Sequence, residues 1–179
     1  MKKIMFNDKY CLTQAVLDGT KTMTRRLPKE GTPLGNWAET EKHLPYKVGE
    51  IVAIAQSYHT LNKSGYTAPE WLDHVCESSA GYENKMFVRA DLMPHHIKIT
   101  DVRVERLQDI SEDEILREGV WQFPGDKFTF YISKIIGKYK AKAFSTARDA
   151  YKYLIDKISG RGTWESNPWV VVYSFELVD

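Results

Sequence analysis

Residues 19–26 have the sequence Gly-Thr-Lys-Thr-Met-Thr-Arg-Arg and lie between a helical pattern and a strand pattern. Upstream, the apolar residues of 12–18 have helical spacing, and the glycine is placed where a helix ends. Downstream, a short strand is predicted, on which Thr22, Thr24 and Arg26 share one face. The segment therefore brings a glycine, several hydroxyls and three cations together beside a strand.

The clearest strand pattern further along the chain lies at residues 96–107. Ile97 and Ile99 share one parity, whereas Val102 and Val104 share the other. A change of phase near residue 100 predicts a β-bulge, because one extra residue moves the inward side chains to the opposite face. Further strands are predicted at 51–55, apolar on both faces and therefore buried, and at 169–178.

Helices are predicted near both ends of this set of strands. Ser111 and Glu114 have the spacing of a capping box, and residues 145–158 carry an apolar stripe of helical period. Residues 28–46 are predicted to be a loop. Residues 59–85 are predicted to be a polar excursion with a short helix from Pro69. The absence of a βαβ rhythm predicts an α+β fold.

Composition limits the classes of function. The chain has 179 residues, is 42% hydrophobic and fits a single domain spanning 1–179. Its 25 Lys and Arg residues balance 24 Asp and Glu residues, whereas proteins that grip a long phosphate backbone usually carry a basic excess. A basic patch, a small ligand, or one or two nucleotides in a pocket all fit this balance. No apolar run approaches the roughly 20 residues of a membrane span. We therefore expect a cytoplasmic protein without a membrane partner.

Several common chemistries have no motif in this sequence. It contains no P-loop, dinucleotide fingerprint, nucleophile elbow or HExxH motif. His95 and His96 begin a predicted strand, where neighbouring side chains point to opposite faces, so they do not share a metal easily. Cys11 and Cys76 lack metal-ligand spacing and are expected to be free thiols. We expect no metal and no cofactor.

The segment 19–26 is the remaining candidate for chemistry. Its cations and hydroxyls can cradle an anion or orient a carbonyl, and Lys21 can act as a base where burial lowers its pKa. The alternative is an exposed strand with solvated Lys and Arg side chains. The local sequence leaves both interpretations open.

The spacing G-x-K-x-x-T-x-R, formed by Gly19, Lys21, Thr24 and Arg26, resembles the motif of the ASCH family, a branch of the PUA-like superfamily. The order of elements around it is also similar: a turn at 48–50 leads into a buried strand, a capped helix ends in Glu-Gly at 118–119, and an aromatic strand follows residue 167. The resemblance implies a small PUA-like β-barrel with flanking helices, lengthened by insertions at about 28–45 and 59–85. The longer form is similar to ASCH proteins of bacteria and their phages.

What the resemblance implies for function is a cleft that binds RNA, DNA or a modified nucleoside. Some ASCH proteins are amidohydrolases that deacetylate acetylcytidine, and their catalytic roles correspond to Lys21, Thr24 and Glu118. Lys21 would activate Thr24 or a water, Thr24 would be the nucleophile, and Glu118 would deliver the proton to the leaving amine. Gly19, Thr22 and Arg26 would contact the ligand.

Three functions therefore stay open. The first is recognition of a nucleobase without reaction, the second is deacylation of a nucleoside, and the third is ribonuclease-like activity or an accessory phage protein with an inactive pocket. Tyr58, at the end of a predicted buried strand, is the aromatic residue that we expect to stack on a base. The aromatic residues of the last strand, Trp169 among them, are expected to lie in the core.

Overall fold

The computed structural model of this protein describes residues 1–65, 79–132 and 142–178. Its main sheet has five strands in the order β1-β3-β4-β7-β2, and a second sheet pairs β5 with β6. Only β1 and β3 run parallel, and the other neighbouring strands are antiparallel. The strands are β1 (Lys3–Ile4), β2 (Met23–Arg26), β3 (Ile51–Ile54), β4 (His96–Arg106), β5 (Trp121–Gln122), β6 (Phe130–Tyr131) and β7 (Trp169–Leu177).

Six helices accompany the strands in the described part of the chain. They are α1 (Leu12–Leu17), α2 (Trp37–His43), α3 (Tyr58–Lys63), α4 (Glu112–Arg117), α5 (Ala147–Ser159) and α6 (Thr163–Ser166). The predicted capping box at the start of α4 is confirmed, because Ser111 and Glu114 each accept the other's backbone N–H. The predicted α+β class is confirmed as well. None of the helices in the described ranges has the length and apolar character needed to cross a bilayer.

The bulge predicted in the long strand is present. The pairing of β4 with β7 shifts register between Ile99 and Asp101. Ile97 and Ile99 before the shift are fully buried, and Val102 after it is also buried, as the change of phase requires. The prediction succeeds because apolar parity along an antiparallel strand directly records which face is inward.

The two edges of the main sheet approach each other without forming a described strand pair. β1 and β2 are the edge strands, so the described residues form an open sheet and not the closed barrel that was predicted. A side chain crosses between the edges, because Arg26 Nη2 donates to the carbonyl oxygen of Met5 at 2.6 Å. The segment after β1 and the strand β2 are thus joined by a side chain.

Both faces of β3 are buried from Val52 onward, as predicted, whereas Ile51 at its start is 49% exposed. Val52 and Ile54 belong to the main core, whereas Ala53 and Ala55 pack in a second cluster with residues of α3. The main core lies between the sheet and the helices α1, α4 and α5. Helix α5 contributes its apolar stripe to this core, which is the arrangement that its sequence pattern predicts.

Some predictions outside the core are wrong. The predicted loop at 28–46 contains α2, because the side chain of Asn36 caps the helix and accepts the N–H of Ala38. The predicted excursion at 59–85 begins within α3, while the helix predicted from Pro69 lies outside the described residues. Trp169 is 42% exposed instead of lying in the core, and the Arg106 guanidinium lies 4.5 Å from its ring centroid.

Candidate functional site

A cavity of about 340 Å³ lies beside β2, on the face that α5 covers. Its buried polar members are Lys21, Thr24, Arg25, Glu118 and Tyr151, whereas Asn7, Arg26 and Ser159 also line it and are more exposed. The cavity is also lined by apolar side chains, three of which come from α5. Its volume falls within the range of about 300–1,000 Å³ that is usual for small-molecule sites.

Lys21 is a buried cation of the site, with a relative exposure of 2%. Its Nζ donates at 2.7 Å to three oxygens: the carbonyl of Met23, the carbonyl of Glu118 and the Glu118 carboxylate oxygen Oε2. All three N–H bonds of the ammonium group are therefore engaged. Burial lowers the pKa of Lys21 from its usual value, although the attraction of Glu118 opposes that change.

Glu118 is held in the cavity by the way α4 ends. It is the last residue before Gly119, whose φ of +103° belongs to the left-handed region. A Cβ at Gly119 would lie 3.0 Å from a methyl group of Leu12 and 3.5 Å from Cδ of Lys21. The glycine thus lets the chain turn and lets Lys21 pass close to the backbone. Glu118 is 5% exposed and points to Lys21, not to solvent.

Arg25 anchors the other oxygen of the Glu118 carboxylate. Its Nη1 donates to Glu118 Oε1 at 3.3 Å and to the Met23 sulfur at 3.3 Å. Its Nε donates to Glu105 at 2.9 Å, and its Nη2 donates to Glu105 at 2.6 Å and to Glu114 at 2.8 Å. These contacts engage all five N–H bonds of the guanidinium.

The charges of the network around Glu118 balance one another, whereas Arg26, which also lines the cavity, donates to a backbone carbonyl. Arg103 completes the group by pairing with Glu105 at 2.9 Å and with Glu114. Three cations (Lys21, Arg25 and Arg103) thus face three carboxylates (Glu105, Glu114 and Glu118). Such a network fixes the position of Glu118, because each buried charge has a partner and each partner is itself held.

Thr24 lines the cavity beside this network and is 7% exposed. The Met23 carbonyl that accepts from Lys21 belongs to the peptide bond that leads into Thr24, so the ammonium lies next to the Thr24 backbone. Within the described ranges, the Thr24 hydroxyl takes part in no hydrogen bond. Its oxygen is therefore available to a group that enters the cavity.

Two buried polar atoms of cavity residues have no hydrogen-bond partner within the described part of the chain: the Tyr151 hydroxyl and Nε of Arg26. Burial raises the pKa of Tyr151 well above its usual value, and the neighbouring Glu118 carboxylate raises it further. An unpaired buried hydroxyl costs free energy, so this group needs an explanation.

The residues predicted from the sequence are thus only partly brought together. Lys21, Thr24, Glu118 and Arg26 line one cavity. Gly19 is exposed in the turn after α1, with a φ of +71°, and is not part of the wall. Thr22 lies before the start of β2, where its hydroxyl accepts a hydrogen bond from Arg117 Nε at 3.0 Å, away from the cavity.

Tyr58 is also absent from the cavity. It begins α3 instead of ending β3, is 4% exposed, and belongs to the second core cluster. Its hydroxyl accepts the backbone N–H of Arg89 at 3.0 Å. The ring is therefore a packed core group, and the prediction that it stacks on a base does not fit its position.

The sequence interpretation did not single out Arg25 or Tyr151. The alternation of side chains along β2 predicted that Arg26 shares the functional face with Thr24, whereas Arg25 is the residue that contacts Glu118. Tyr151 was assigned to the apolar stripe of α5, and the signal that could have identified it is a hydroxyl on a stripe that is otherwise apolar. Within the described ranges, no group of three or more His, Cys, Asp or Glu residues is placed to hold a metal ion.

No protein-family model matches this chain, and no curated protein matches it. Among the solved structures, it is similar to a protein from Enterococcus faecalis V583 described by the family model DUF984. The identity is 16% over 94% of this chain and 67% of that chain, with a TM-score of 0.41.

It is also similar to an ASCH domain from Lactobacillus crispatus JV V101. Here the identity is 15% over 95% of this chain and 72% of that chain, with a TM-score of 0.37. An ASCH domain thus stands among the structures similar to this chain, and ASCH is the family that the 19–26 motif resembles. At this degree of likeness, the function has to be argued from the cavity residues themselves.

Proposed function

We propose that this chain binds a modified nucleoside, free or within RNA or DNA, and hydrolyses an acyl group from the exocyclic amine of its base. We further propose that residues 1–179 form one PUA-like domain of the ASCH type, in which the Arg26 side chain spans the gap between the edges of the sheet. One observation carries the proposed reaction: a buried Lys21–Glu118 pair at 2.7 Å, in a cavity that Thr24 also lines.

The form of the cavity supports a small, partly apolar ligand. Leu154, Ile155 and Ile158 of α5 provide an apolar wall, and the buried polar groups line the same cavity. Ile158 is 40% exposed and Leu27 is 49% exposed, so these two residues mark the mouth. A base with a polar edge and an apolar face matches this division, because its ring can lie against the wall while its amide meets Lys21 and Glu118.

The ion pair supports hydrolysis over recognition alone. A reader of bases needs donors and acceptors that face the ligand, whereas all three N–H bonds of Lys21 are engaged by protein oxygens. A lysine and a carboxylate in a short buried contact can exchange a proton with little movement. Transfer from Nζ to Oε2 gives a neutral amine that can accept a proton and a carboxylic acid that can donate one.

The proposed reaction then balances in two stages. The neutral Lys21 amine accepts the Thr24 proton, directly or through one water, as Oγ1 attacks the acyl carbon. Glu118 gives its proton to the leaving amine nitrogen as the C–N bond breaks, which leaves an acyl ester on Thr24. Water then attacks the ester, its proton passes to Glu118, and Lys21 returns a proton to Thr24 as the carboxylic acid leaves. One amide and one water give one amine and one acid.

Arg25 acts in this scheme as a positioning residue. It holds Glu118 Oε1 while its remaining N–H bonds hold Glu105, Glu114 and the Met23 sulfur. The carboxylate therefore presents Oε2 to Lys21 without rotating freely. Precise positioning of this kind matters because small displacements of a catalytic group reduce rates strongly.

The test is incubation of the protein with acetylcytidine and a panel of other modified nucleosides, with products identified by mass. Thr24→Val removes the hydroxyl and keeps the shape of the side chain, and we expect it to reduce turnover by about 10³-fold or more. Thr22→Val is the matched control, because Thr22 belongs to the same motif but contacts Arg117 instead of the cavity.

The outcomes separate the two uses of the cavity. Turnover that is lost in Thr24→Val and kept in Thr22→Val supports hydrolysis. Saturable binding without any turnover supports recognition of the base alone. Equal turnover by Thr24→Val and the wild type contradicts the role of Thr24 as nucleophile.

A further inference from the structure

The Tyr151 hydroxyl is a buried polar group of the cavity that the proposed proton transfers do not use. The residue is 1% exposed, and its ring packs edge-to-face against Trp164 with centroids 6.1 Å apart. By distance and angle its hydroxyl forms no hydrogen bond with another described group, but the Glu118 carboxylate lies near enough to raise the Tyr151 pKa by hydrogen bonding. A fixed ring thus carries a donor into the cavity beside Glu118, without a well-aligned hydrogen bond in the free protein.

The other strong donors at this end of the cavity are already engaged. Lys21 uses its three N–H bonds on two carbonyls and a carboxylate, and Arg25 uses its five on carboxylates and a sulfur. The Thr24 hydroxyl is the attacking group and loses its proton. An oxygen of the ligand that enters here therefore meets two donors that are still available, the Tyr151 hydroxyl and Nε of Arg26. Tyr151 is the one that lies beside Glu118, whose carboxylate acts on its pKa.

The chemistry of this hydroxyl favours donation over proton transfer. Burial and the nearby Glu118 carboxylate raise the pKa of Tyr151 well above its usual value. The phenol therefore keeps its proton at neutral pH and does not act as a base or nucleophile. A neutral donor in a buried site stabilises negative charge that develops on a neighbouring oxygen.

We propose that Tyr151 donates a hydrogen bond to the acyl carbonyl oxygen of the ligand, and to the negative charge that forms on this oxygen when Thr24 attacks. This inference rests on the proposed function and names the substrate class more closely. The C=O electron pair moves onto the oxygen while the phenol keeps its proton. A base with an N-acyl group offers this oxygen, whereas a base with an N-alkyl group does not, so Tyr151 selects acylated over alkylated bases.

The test is Tyr151→Phe, which removes one oxygen and keeps the ring against Trp164. We expect kcat for acetylcytidine to fall by about 10²–10³-fold, with little change in KM, which is the usual effect of removing one donor to a developing oxyanion. The melting temperature of the free protein should rise by about 2–4 °C, because an unpaired buried hydroxyl has been removed. Tyr153→Phe is the control, since Tyr153 lies on the same helix but lines a different depression.

The role of Tyr151 can also be tested by ligand binding alone, without turnover. Acetylcytidine should raise the melting temperature of the wild type more than that of Tyr151→Phe, whereas N4-methylcytidine should not separate the two proteins. If the wild type binds in this way without turnover, Tyr151 keeps its role and the proposed hydrolysis fails.

Other results would contradict the role of Tyr151, and they can be told apart from a failure of the proposed function. Wild-type turnover with an unchanged kcat in Tyr151→Phe overturns the role of Tyr151 and leaves the proposed function in place. A lower melting temperature for free Tyr151→Phe shows that the hydroxyl is engaged without ligand, which also overturns the inference. A wild type that neither turns over nor responds to any nucleoside overturns both proposals.

Discussion

Replacing either partner of the Lys21–Glu118 pair should destabilise the protein to very different extents. Lys21→Met leaves Glu118 with a cationic partner, because Arg25 Nη1 lies 3.3 Å from its other oxygen. Glu118→Gln leaves the Lys21 ammonium at 2% exposure with two carbonyls and an amide oxygen, and without an anion. A buried charge that loses its counter-charge is the more expensive defect.

The loss of unfolding free energy in Glu118→Gln is limited by the deprotonation of Lys21. Breaking a buried pair by removing one partner costs about 3–5 kcal/mol of unfolding free energy. Lys21 can instead lose its proton, which costs about 1.4 kcal/mol for each pH unit below its ordinary pKa of about 10.4. The free energy of deprotonating Lys21, which is the largest cost that its unpaired charge can impose, is about 4.6 kcal/mol at pH 7 and about 1.9 kcal/mol at pH 9. Lys21→Met loses hydrogen bonds but keeps a paired carboxylate, so we expect about 1–3 kcal/mol.

The sign of the pH dependence is fixed by the direction of the Lys21 pKa. Burial lowers this pKa in the folded protein, and loss of Glu118 removes the group that opposes the change. The unfolded chain therefore binds more protons than the folded chain between the two pKa values, so stability rises with pH in that window. The deficit of Glu118→Gln relative to the wild type should shrink from about 3–5 kcal/mol at pH 7 to about 2 kcal/mol at pH 9.

Urea unfolding followed by circular dichroism at both pH values measures these differences, provided that the m-values agree. Glu112→Gln is the control, because Glu112 is an exposed residue of the same helix. It should change the unfolding free energy by less than about 0.5 kcal/mol. Equal costs for Glu118→Gln and Lys21→Met at pH 7, or a deficit that does not shrink at pH 9, would refute the reasoning.

Two further predictions concern the surroundings of this pair. Gly119→Ala should cost more stability than Gly125→Ala, by about 1–3 kcal/mol. Both glycines have φ near +100°, but only the new Cβ at Gly119 would press on Leu12, at 3.0 Å; equal melting temperatures of the two variants would contradict this. In the proposed reaction, kcat/KM should fall at high pH, because the Lys21–Glu118 pair then loses the one proton that it shares and Glu118 has none for the leaving amine; the fall should begin below pH 10.5, because burial lowers the Lys21 pKa. A rate series from pH 6 to 10 tests this, and a flat profile would contradict Lys21 as the base.

The sequence predicted those parts of the fold in which the spacing of apolar residues shows which side chains are buried. The bulge near residue 100 and the apolar stripe of α5 are of this kind, and both are present. The loop prediction at 28–46 failed because turn-forming residues dominated the pattern there, although Asn36 supplies a helix cap. Tyr58 was misplaced for a related reason, since the strand ends at Ile54 and the side chain of Ser57 caps a helix that begins at Tyr58.

The candidate site could be predicted only in part. Spacing and resemblance identified Lys21, Thr24 and Glu118, which do line one cavity. The contribution of Arg25 depends on carboxylates 80 to 93 residues away in the chain, and local alternation contains no information about them. Tyr151 was hidden for the opposite reason: its ring satisfies the apolar pattern, and only the three-dimensional structure shows that its hydroxyl has no partner among the described residues.

The division of the cavity between β2 and α5 has a consequence for how such a protein can diversify. The groups assigned to proton transfer and attack lie on residues 21–24 and 118, whereas α5 contributes Leu154, Ile155 and Ile158 to the apolar wall and also carries Tyr151. Substitutions at Ile158, which is 40% exposed at the mouth, can therefore reshape the accepted base without disturbing the ion pair. The accepted base can therefore change through the apolar residues of α5 while the ion pair is inherited intact, as long as Tyr151 on the same helix is kept.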